Sequence, residues 1–526
     1  MTSTSRSLHV VGCLLFVLTS LWRVTESGDL LVVPVDGSHW LTLKVLMDEL
    51  GRRGHNVVVV VPEVNMKMDR SPYYTTKIFP VPYNRDDMDS IKPTGFTAMP
   101  LFERIRVGFQ RAGQVRQFFL ATCESLLYNT ELMQELVERK FDALLTDPFV
   151  PCGAIVADYL SLPTVNLLRG IPCSLEYLST QCPQPFSYVP RFFSGNTDRM
   201  NFLQRTKNVL VAFLQPMLCW FIYSPFEELA TRFLQREVTL VQLLSQTSIW
   251  LMRYDFVFES PRPLMPNMVL VGGINCRDRQ PLSQEFEEFM SSSGEHGVVI
   301  FSLGSMVSEL PLEISNRIAD ALGKIPQKVL WRYTGLPPTT LAPNTKLVEW
   351  LPQNDLMGHP KTRAFITHGG TNGIYEAICS GVPSVMLPLF GDQGYNVDHM
   401  VNRGAGVKLQ IELLSTHDLV NALNTVINDT RYKETMMKLS ALHKDRSVSP
   451  LELSIHWVEF VMRHRGAEHL RPAAHDLNWV QYHSLDVFGV LLVSVMVSVW
   501  LMIKCCSYCC KRCWCGTRNQ MKRKPD

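Results

Sequence analysis

From Trp350 to Gln393 the chain reads WLPQNDLMGHPKTRAFITHGGTNGIYEAICSGVPSVMLPLFGDQ. Short apolar runs alternate here with helix-length segments, the pattern of βαβ units. Arg363 to Thr367 is predicted as a strand, Thr371 to Cys379 as a helix, Ser384 to Pro388 as a strand, and a second helix starts at Asp392. Ligands of open parallel sheets collect at the carboxyl ends of the strands. His368, Gly369 and Gly370 fall where strand gives way to helix, so free N–H groups and the positive helix end can face a pyrophosphate. Glycine lets the backbone come close. Glu376, one helical turn beyond Asn372, offers a carboxylate that accepts from two ribose hydroxyls. Trp350 presents a flat face to a base and Gln353 an amide to a base edge, while Asp392 and Gln393 suit sugar hydroxyls.

The amino-terminal half repeats the architecture. Leu30 to Val35 is predicted as a strand, Trp40 to Gly51 as an amphipathic helix and Val57 to Val61 as a strand buried on both faces. DGSHW therefore sits on the first strand-to-helix connection, and a later strand, Ala143 to Thr146, ends at Asp147-Pro148. A histidine and an aspartate at neighbouring strand ends can meet. Imidazole is the base best matched to neutral pH, and a carboxylate on its other nitrogen fixes the tautomer. Taken singly these residues have structural alternatives: a helix-capping His39, a turn-forming Asp-Pro, a buried Trp350 anchor. Taken together they read as a grip for a nucleotide sugar beside a general base.

The block resembles the nucleotide-sugar signature of the UDP-glycosyltransferases, and the chain as a whole resembles a vertebrate UDP-glucuronosyltransferase of the family-1 type. The runs PVDGSHW, LTDPF, FSLGSMVSE, EFVMRHRGAEHLRPAAHDL and WVQYHSLDV carry that resemblance beyond the signature. It implies an α/β chain of the GT-B fold, two doubly wound Rossmann-like domains facing a cleft, plus one C-terminal transmembrane helix. It also implies that Trp350 and Gln353 hold uracil and Glu376 the ribose. His368, Gly370, Asn372 and the backbone around Ser302, Gly304 and Ser305 would hold the pyrophosphate, and Asp392 with Gln393 the sugar. His39 would be the base and Asp147 its orienter. Arg253 corresponds to an arginine proposed to pair with the glucuronate carboxylate, with an ion pair to Asp255 as an equally simple use. Plant members carry a second Trp where Thr371 stands, so packing on the sugar side does not transfer from them.

A chain of 526 residues is too long for one ordinary core. The expected division is a signal peptide at 1–27, an acceptor domain at 28–272 and a UDP-sugar domain at 273–444. A return helix and juxtamembrane segment follow at 445–484, a transmembrane helix at 485–503 and a basic, Cys-rich cytosolic tail at 504–526. Basic residues after the apolar run point that end to the cytosol and leave the bulk lumenal. The closing MKRKPD places Lys522 and Lys524 as in a dilysine signal for the endoplasmic reticulum. Cys505, Cys506, Cys509, Cys510, Cys513 and Cys515 are candidates for palmitoylation rather than zinc.

Seven widely scattered lumenal cysteines allow one or two disulfides, and Asn428-Asp429-Thr430 is a glycosylation sequon. Val209 to Tyr223 is apolar but interrupted by Gln215 and Pro216. An interfacial segment on the lumenal leaflet and a buried helical hairpin both remain open for it. A net charge of +2 with no basic stripe and no zinc-spaced Cys and His set excludes nucleic acid as a partner and gives no metal site.

The expected partners are UDP-glucuronate as co-substrate, with no cofactor, and small lipophilic acceptors such as phenols, steroids, bilirubin and xenobiotics. The endoplasmic reticulum membrane and related transferases in homo- or hetero-oligomers complete the list. Transfer from UDP-glucose or another UDP-sugar, and a non-catalytic partner subunit, stay open as alternatives. The acceptor pocket is expected from Asp69 to Arg111 and the region beyond Pro172.

Overall fold

The computed structural model describes residues 27–90, 100–192 and 194–520. The expected signal peptide, but for its last residue, the closing MKRKPD and part of the expected acceptor segment lie outside them.

Seven strands, β1 (Asp29–Val33), β2 (Asn56–Pro62), β3 (Thr75–Phe79), β4 (Ala143–Thr146), β5 (Thr164–Leu168), β6 (Ile249–Met252) and β7 (Met268–Leu270), form a parallel sheet in the order β3-β2-β1-β4-β5-β6-β7. The chain starts in the middle, winds to one edge and then to the other, which is double winding. Helix α1 (Ser38–Arg52) covers one face, and α2 (Leu101–Leu127), α3 (Cys152–Leu160) and α4 (Phe202–Leu234) belong to the other side. Both faces of NVVVVVP in β2 are therefore buried, as its unbroken β-branched run requires. β1 stops at Val33, two residues short of the expected end, because the chain turns through Gly37 at φ 78°.

The second sheet has six parallel strands, β8 (Val298–Ser302), β9 (Lys328–Arg332), β10 (Thr345–Val348), β11 (Thr362–Thr367), β12 (Ser384–Met386) and β13 (Gly406–Lys408), in the order β10-β9-β8-β11-β12-β13. Helices α5 (Thr371–Ser380) and α6 (Gln393–Asn402) start at its carboxyl edge, followed by α7 (Thr416–Asn428) and α8 (Thr430–Lys444). β12 ends before Pro388, which has no N–H to give a ladder. Asn428 closes α7 and is exposed, so the sequon lies on the surface.

After α8 the chain returns to the first sheet as α9 (Pro450–His464), whose Ile455, Val458 and Val461 are fully buried with Leu30 and Val32. The two crossings between the sheets meet: His443 and Arg446 both bond to Asp255, and the His443 ring fills the space a side chain at Gly273 would need.

Three expectations are corrected. Three disulfides form rather than one or two, Cys123–Cys152, Cys173–Cys219 and Cys276–Cys379, leaving Cys182 buried and free. The segment around Val209 to Tyr223 is neither short nor a buried hairpin but part of the 33-residue α4, which runs through Pro216 and Pro225. A proline removes one helical N–H and orphans the carbonyl four residues back. The carbonyl orphaned by Pro225 belongs to Phe221, and Arg116 Nη1 donates to it at 2.6 Å. Finally, Arg253 does not pair with Asp255, whose partners are those just named.

Residues 471–526 form a separate unit containing α10 (Leu485–Gln520). Its stretch Leu485–Arg512, 28 residues containing an 18-residue window of mean hydropathy 2.3, is long and apolar enough to cross a membrane, where about 20 residues suffice. The helix continues to Gln520, into the segment expected as tail.

Because Ile455 is fully buried between α9 and the sheet, Ile455→Ala should destabilise the protein by about 2–5 kcal/mol. Denaturant unfolding in detergent measures this; a change near zero would mean that α9 is not part of the core.

Candidate active site

A cavity of about 750 Å³ is lined from both sheets at their carboxyl ends. The size falls in the range of small-molecule sites. On the first sheet, Val33 pairs with Thr146, so the connections leaving β1 and β4 start side by side. The first turn of α1 carries His39 and the residue after β4 is Asp147. Their side chains meet at 2.6 Å between Nδ1 and Oδ2. The other carboxylate oxygen accepts from the Phe149 N–H at 3.0 Å, and the Phe149 ring lies 5.2 Å from the imidazole. With Nδ1 as donor to a carboxylate, Nε2 keeps its lone pair. His39 lines the cavity, while Asp147 stands behind it, 4 % exposed.

The facing wall comes from β8, β11 and the starts of α5 and α6. Thr367 pairs with Ser302, which sets His368 beside the loop Leu303-Gly304-Ser305. Arg332, at the end of β9, donates to the carbonyl of Gly304 and lies 3.5 Å from those of Val307 and Ser305. It thereby fixes the loop's backbone orientation. The Ser305 hydroxyl and His368 Nδ1 are buried with no protein partner among the described residues. Burial pushes the His368 imidazole down to about 4; Arg332 acts the same way and Asp392 against it. His368 is therefore a neutral ring at physiological pH, fit to donate one hydrogen bond without adding charge.

Glu376 accepts a hydrogen bond from Gln353 Nε2. Burial pushes its carboxyl up to about 7, with the Gln353 bond opposing. Trp350 is 52 % exposed, so it is no buried anchor. The ammonium of Lys67, from the first domain, lies 4.9 Å from its ring centre and the Arg332 guanidinium 5.2 Å.

Asn372 ties the domains together: its Oδ1 accepts from Arg253 Nη2 and from Thr42 at 3.2 Å. Asp392 Oδ2 accepts from Thr371 at 2.7 Å and Asn396 at 2.8 Å, leaving Oδ1 for a ligand. Gln393 Oε1 caps the N–H groups of Leu389 and Phe390, at 2.7 and 3.0 Å, and so shapes the loop before α6. Of the site residues singled out from sequence, all but Asp147 and Gly369 line this cavity, Gly370 and Arg253 included.

Sequence reasoning missed Arg169, the residue after β5. Its guanidinium pairs with Glu259, donates to Asn396 at 2.9 Å and Thr371 at 3.2 Å, and lies 3.8 Å from Asp392. Burial alone would raise the Glu259 carboxyl, but the charge of Arg169, then His399 and Arg262, holds it below its ordinary value. A lone Arg and a lone Glu far apart in sequence carry no spacing signal. Among the described residues, the grouping with metal-ligand spacing is Cys276, Cys379 and His443, and its two sulfurs are already joined as a disulfide.

The family described as "UDP-glucoronosyl and UDP-glucosyl transferase" matches residues 28–520. Human UDP-glucuronosyltransferase 1A1 is 54 % identical over 518 residues, covering 98 % of this chain and 97 % of that one. Human UDP-glucuronosyltransferase 1A6 is 52 % identical, covering 98 % of each. Among solved structures, the calicheamicin glycosyltransferase CalG4 superposes with a TM-score of 0.57 at 18 % identity, over 84 % of this chain and 99 % of its own. The spinosyn forosaminyltransferase SpnP gives 0.57 at 16 %, over 83 % and 99 %. At that identity the likeness shows the fold, GT-B.

The elevated Glu376 carboxyl makes a pH test. Its ionised form, the one expected to accept both ribose hydroxyls, dominates above about 7 and is lost below. UDP-glucuronate carries a pyrophosphate diester that does not titrate nearby. Its affinity should therefore fall about tenfold between about pH 8 and pH 6, as the competent fraction falls. Calorimetric titration checks this, and Glu376→Gln should bind more weakly with a flat profile.

Proposed function

The chain belongs to the family of UDP-glucuronosyl and UDP-glucosyl transferases and is a glucuronosyltransferase, and from that premise we propose that it moves glucuronate from UDP-glucuronate to hydroxyl groups of small lipophilic acceptors, with His39 as the base. Phenols, steroids, bilirubin and xenobiotics are the proposed acceptors, with carboxyl and amine groups as further targets. The observation that carries this reading is the 2.6 Å bond between His39 and Asp147 at the wall of a cavity that both sheets share.

In this mechanism the acceptor hydroxyl gives its proton to His39 Nε2 as its oxygen attacks the anomeric carbon. Asp147 holds the ring and stabilises the imidazolium. UDP leaves with charge developing on the pyrophosphate, where the His368 ring, Ser305 and the loop fixed by Arg332 can donate. One displacement inverts the α-linked donor to a β-glucuronide without a covalent enzyme intermediate, a metal or a cofactor. Trp350 and Gln353 take uracil, Glu376 the ribose, and Asp392 with the amide of Gln393 the sugar hydroxyls. Arg253, buried and cavity-lining, supplies the cation for the glucuronate carboxylate.

We further propose a single-pass type I protein of the endoplasmic reticulum membrane, anchored by α10, with the two sheets lumenal, a cytosolic basic tail and oligomers with related transferases. The positive flank after the apolar run supports that orientation. α4 contributes an interfacial surface. Leu203, Leu210, Phe213, Leu214, Met217 and Trp220 are all exposed at helical spacing, while Tyr223 and Phe226 on the same helix are buried. Such a stripe suits the headgroup boundary of a bilayer and would admit lipophilic acceptors from it. Replacing Phe213 and Trp220 together by Asp should raise KM for strongly lipophilic acceptors severalfold and leave that for water-soluble phenols unchanged; equal effects on both would remove the membrane from the account.

Membranes expressing the protein, given simple phenols and either UDP-glucuronate or UDP-glucose, test the main reading. Phenol glucuronide should form, and His39→Ala should lower kcat by about 10²–10⁴-fold with little change in donor KM. Ionised carboxylic acid acceptors should lose less. Product from UDP-glucose alone would overturn the donor assignment, and full activity in His39→Ala would overturn the base.

A further inference from the structure

One buried carboxylate in the cavity takes no part in the transfer. Glu176, in the short helical turn after Pro172, is 2 % exposed and lines the first-domain wall. Its Oε2 accepts from the Ile171 N–H at 3.2 Å, and its own backbone N–H also bonds to the carboxylate. Among the described residues no cation lies within salt-bridge distance of it, and its Oε1 accepts no hydrogen bond from another residue. Burying a carboxylate without a paired charge is costly unless something else satisfies it.

The free oxygen has a neighbour in the same condition. Tyr254, 7 % exposed and also on the cavity wall, has a hydroxyl with no hydrogen-bond partner among the described residues. Both atoms border the missing side chain of Gly170: a Cβ there would lie 2.9 Å from the Tyr254 hydroxyl oxygen and 3.5 Å from Glu176 Oε1. Gly170 thus leaves a notch with two unengaged polar atoms at its rim. The groups facing Glu176 are the guanidiniums of Arg262 and Arg169, the phenols of Tyr177, Tyr223 and Tyr254 and the Cys182 thiol. Arg262 is committed to the Tyr177 and Tyr395 hydroxyls, and Arg169 to Glu259.

We propose that the Glu176, Tyr254 and Gly170 notch binds a hydrogen-bond-donating group of the acceptor, a hydroxyl or amine N–H other than the one glucuronidated, and so selects acceptors that carry a second polar group. The inference rests on the acceptor lying against the first domain with His39. It deepens that reading by giving an otherwise apolar pocket a polar address. A carboxylate is an acceptor only, so an ether in place of the second hydroxyl loses the bond and leaves the buried oxygen unpaired. Burial pushes Glu176 up to about 7, so its acceptor form gains through that region.

The test uses the full-length protein in membranes with UDP-glucuronate and matched acceptors: phenols bearing a para hydroxyalkyl chain of graded length, and their methyl ethers. The quantity read is kcat/KM for the alcohol over that for the ether, a ratio from which any loss of folded enzyme cancels. In the native protein the best chain length should favour the alcohol by about tenfold, more strongly at about pH 8 than at pH 6. Glu176→Gln should reduce the ratio severalfold and abolish its pH dependence, and Tyr254→Phe should reduce it independently.

A native ratio near one at every length, or a ratio unmoved in both variants, overturns the proposal while glucuronide formation from the ethers still upholds the transfer reading. A change confined to the KM for UDP-glucuronate overturns it too, since the notch would then serve the donor. Absence of glucuronide from every acceptor would contradict the transfer reading itself.

Discussion

The site depends on β1 and β4 lying side by side and parallel, with Val33 opposite Thr146. Strands separated by more than a hundred residues are thereby made to end at the same height. Only then can a residue at the start of α1 and another just past β4 meet at hydrogen-bond distance. A one-residue slip would turn every side chain of a strand to the other face. The register is held by burial on both sides: Leu31 and Leu144 face one core, Leu30, Val32 and Leu145 the other. The apolar packing of the sheet is thus what keeps a polar pair in position, and the second sheet does the same for His368 by setting Thr367 against Ser302.

Between the sheets the ties are mostly polar. Arg253 and Thr42 hold Asn372, Arg169 reaches Thr371 and Asn396, and Asp255 gathers His443 and Arg446 where the chain crosses. Buried pairs of this kind add little net stability but specify one geometry closely. Polar contacts between domains also suit a cleft that must open for two substrates and close over them. Arg169 illustrates the economy: one guanidinium neutralises Glu259 and also orders the partners of Asp392. The Asp392 carboxylate is therefore aligned by a residue of the opposite domain.

Much of this was legible in the chain. Alternating apolar runs gave five of the strands, β1, β2, β4, β11 and β12, to within two residues, because strands buried on both faces read as unbroken apolar runs. The motif residues were legible because they crowd into one block at strand and helix ends. Arg169, Glu259, Glu176 and Tyr254 were not, since each is a single residue whose role comes from tertiary neighbours. The continuity of α4 was hidden by Pro216 and Pro225, whose penalty is local; at Pro225 the relief, a hydrogen bond from Arg116, comes from another helix. The disulfide pairings were hidden for the same reason: Cys276 and Cys379, for one, are brought together by the fold and not by spacing.

The central claim is that His39, held by Asp147, removes the acceptor proton as the new bond forms. The most direct measurement is the dependence of kcat/KM on acceptor acidity, across a series of substituted phenols with UDP-glucuronate, in the native protein and in His39→Ala. A base that shares the proton makes the native rate only weakly dependent on phenol pKa, whereas the variant must await spontaneous ionisation and should favour acidic phenols steeply. Parallel dependences in the two proteins would contradict the claim.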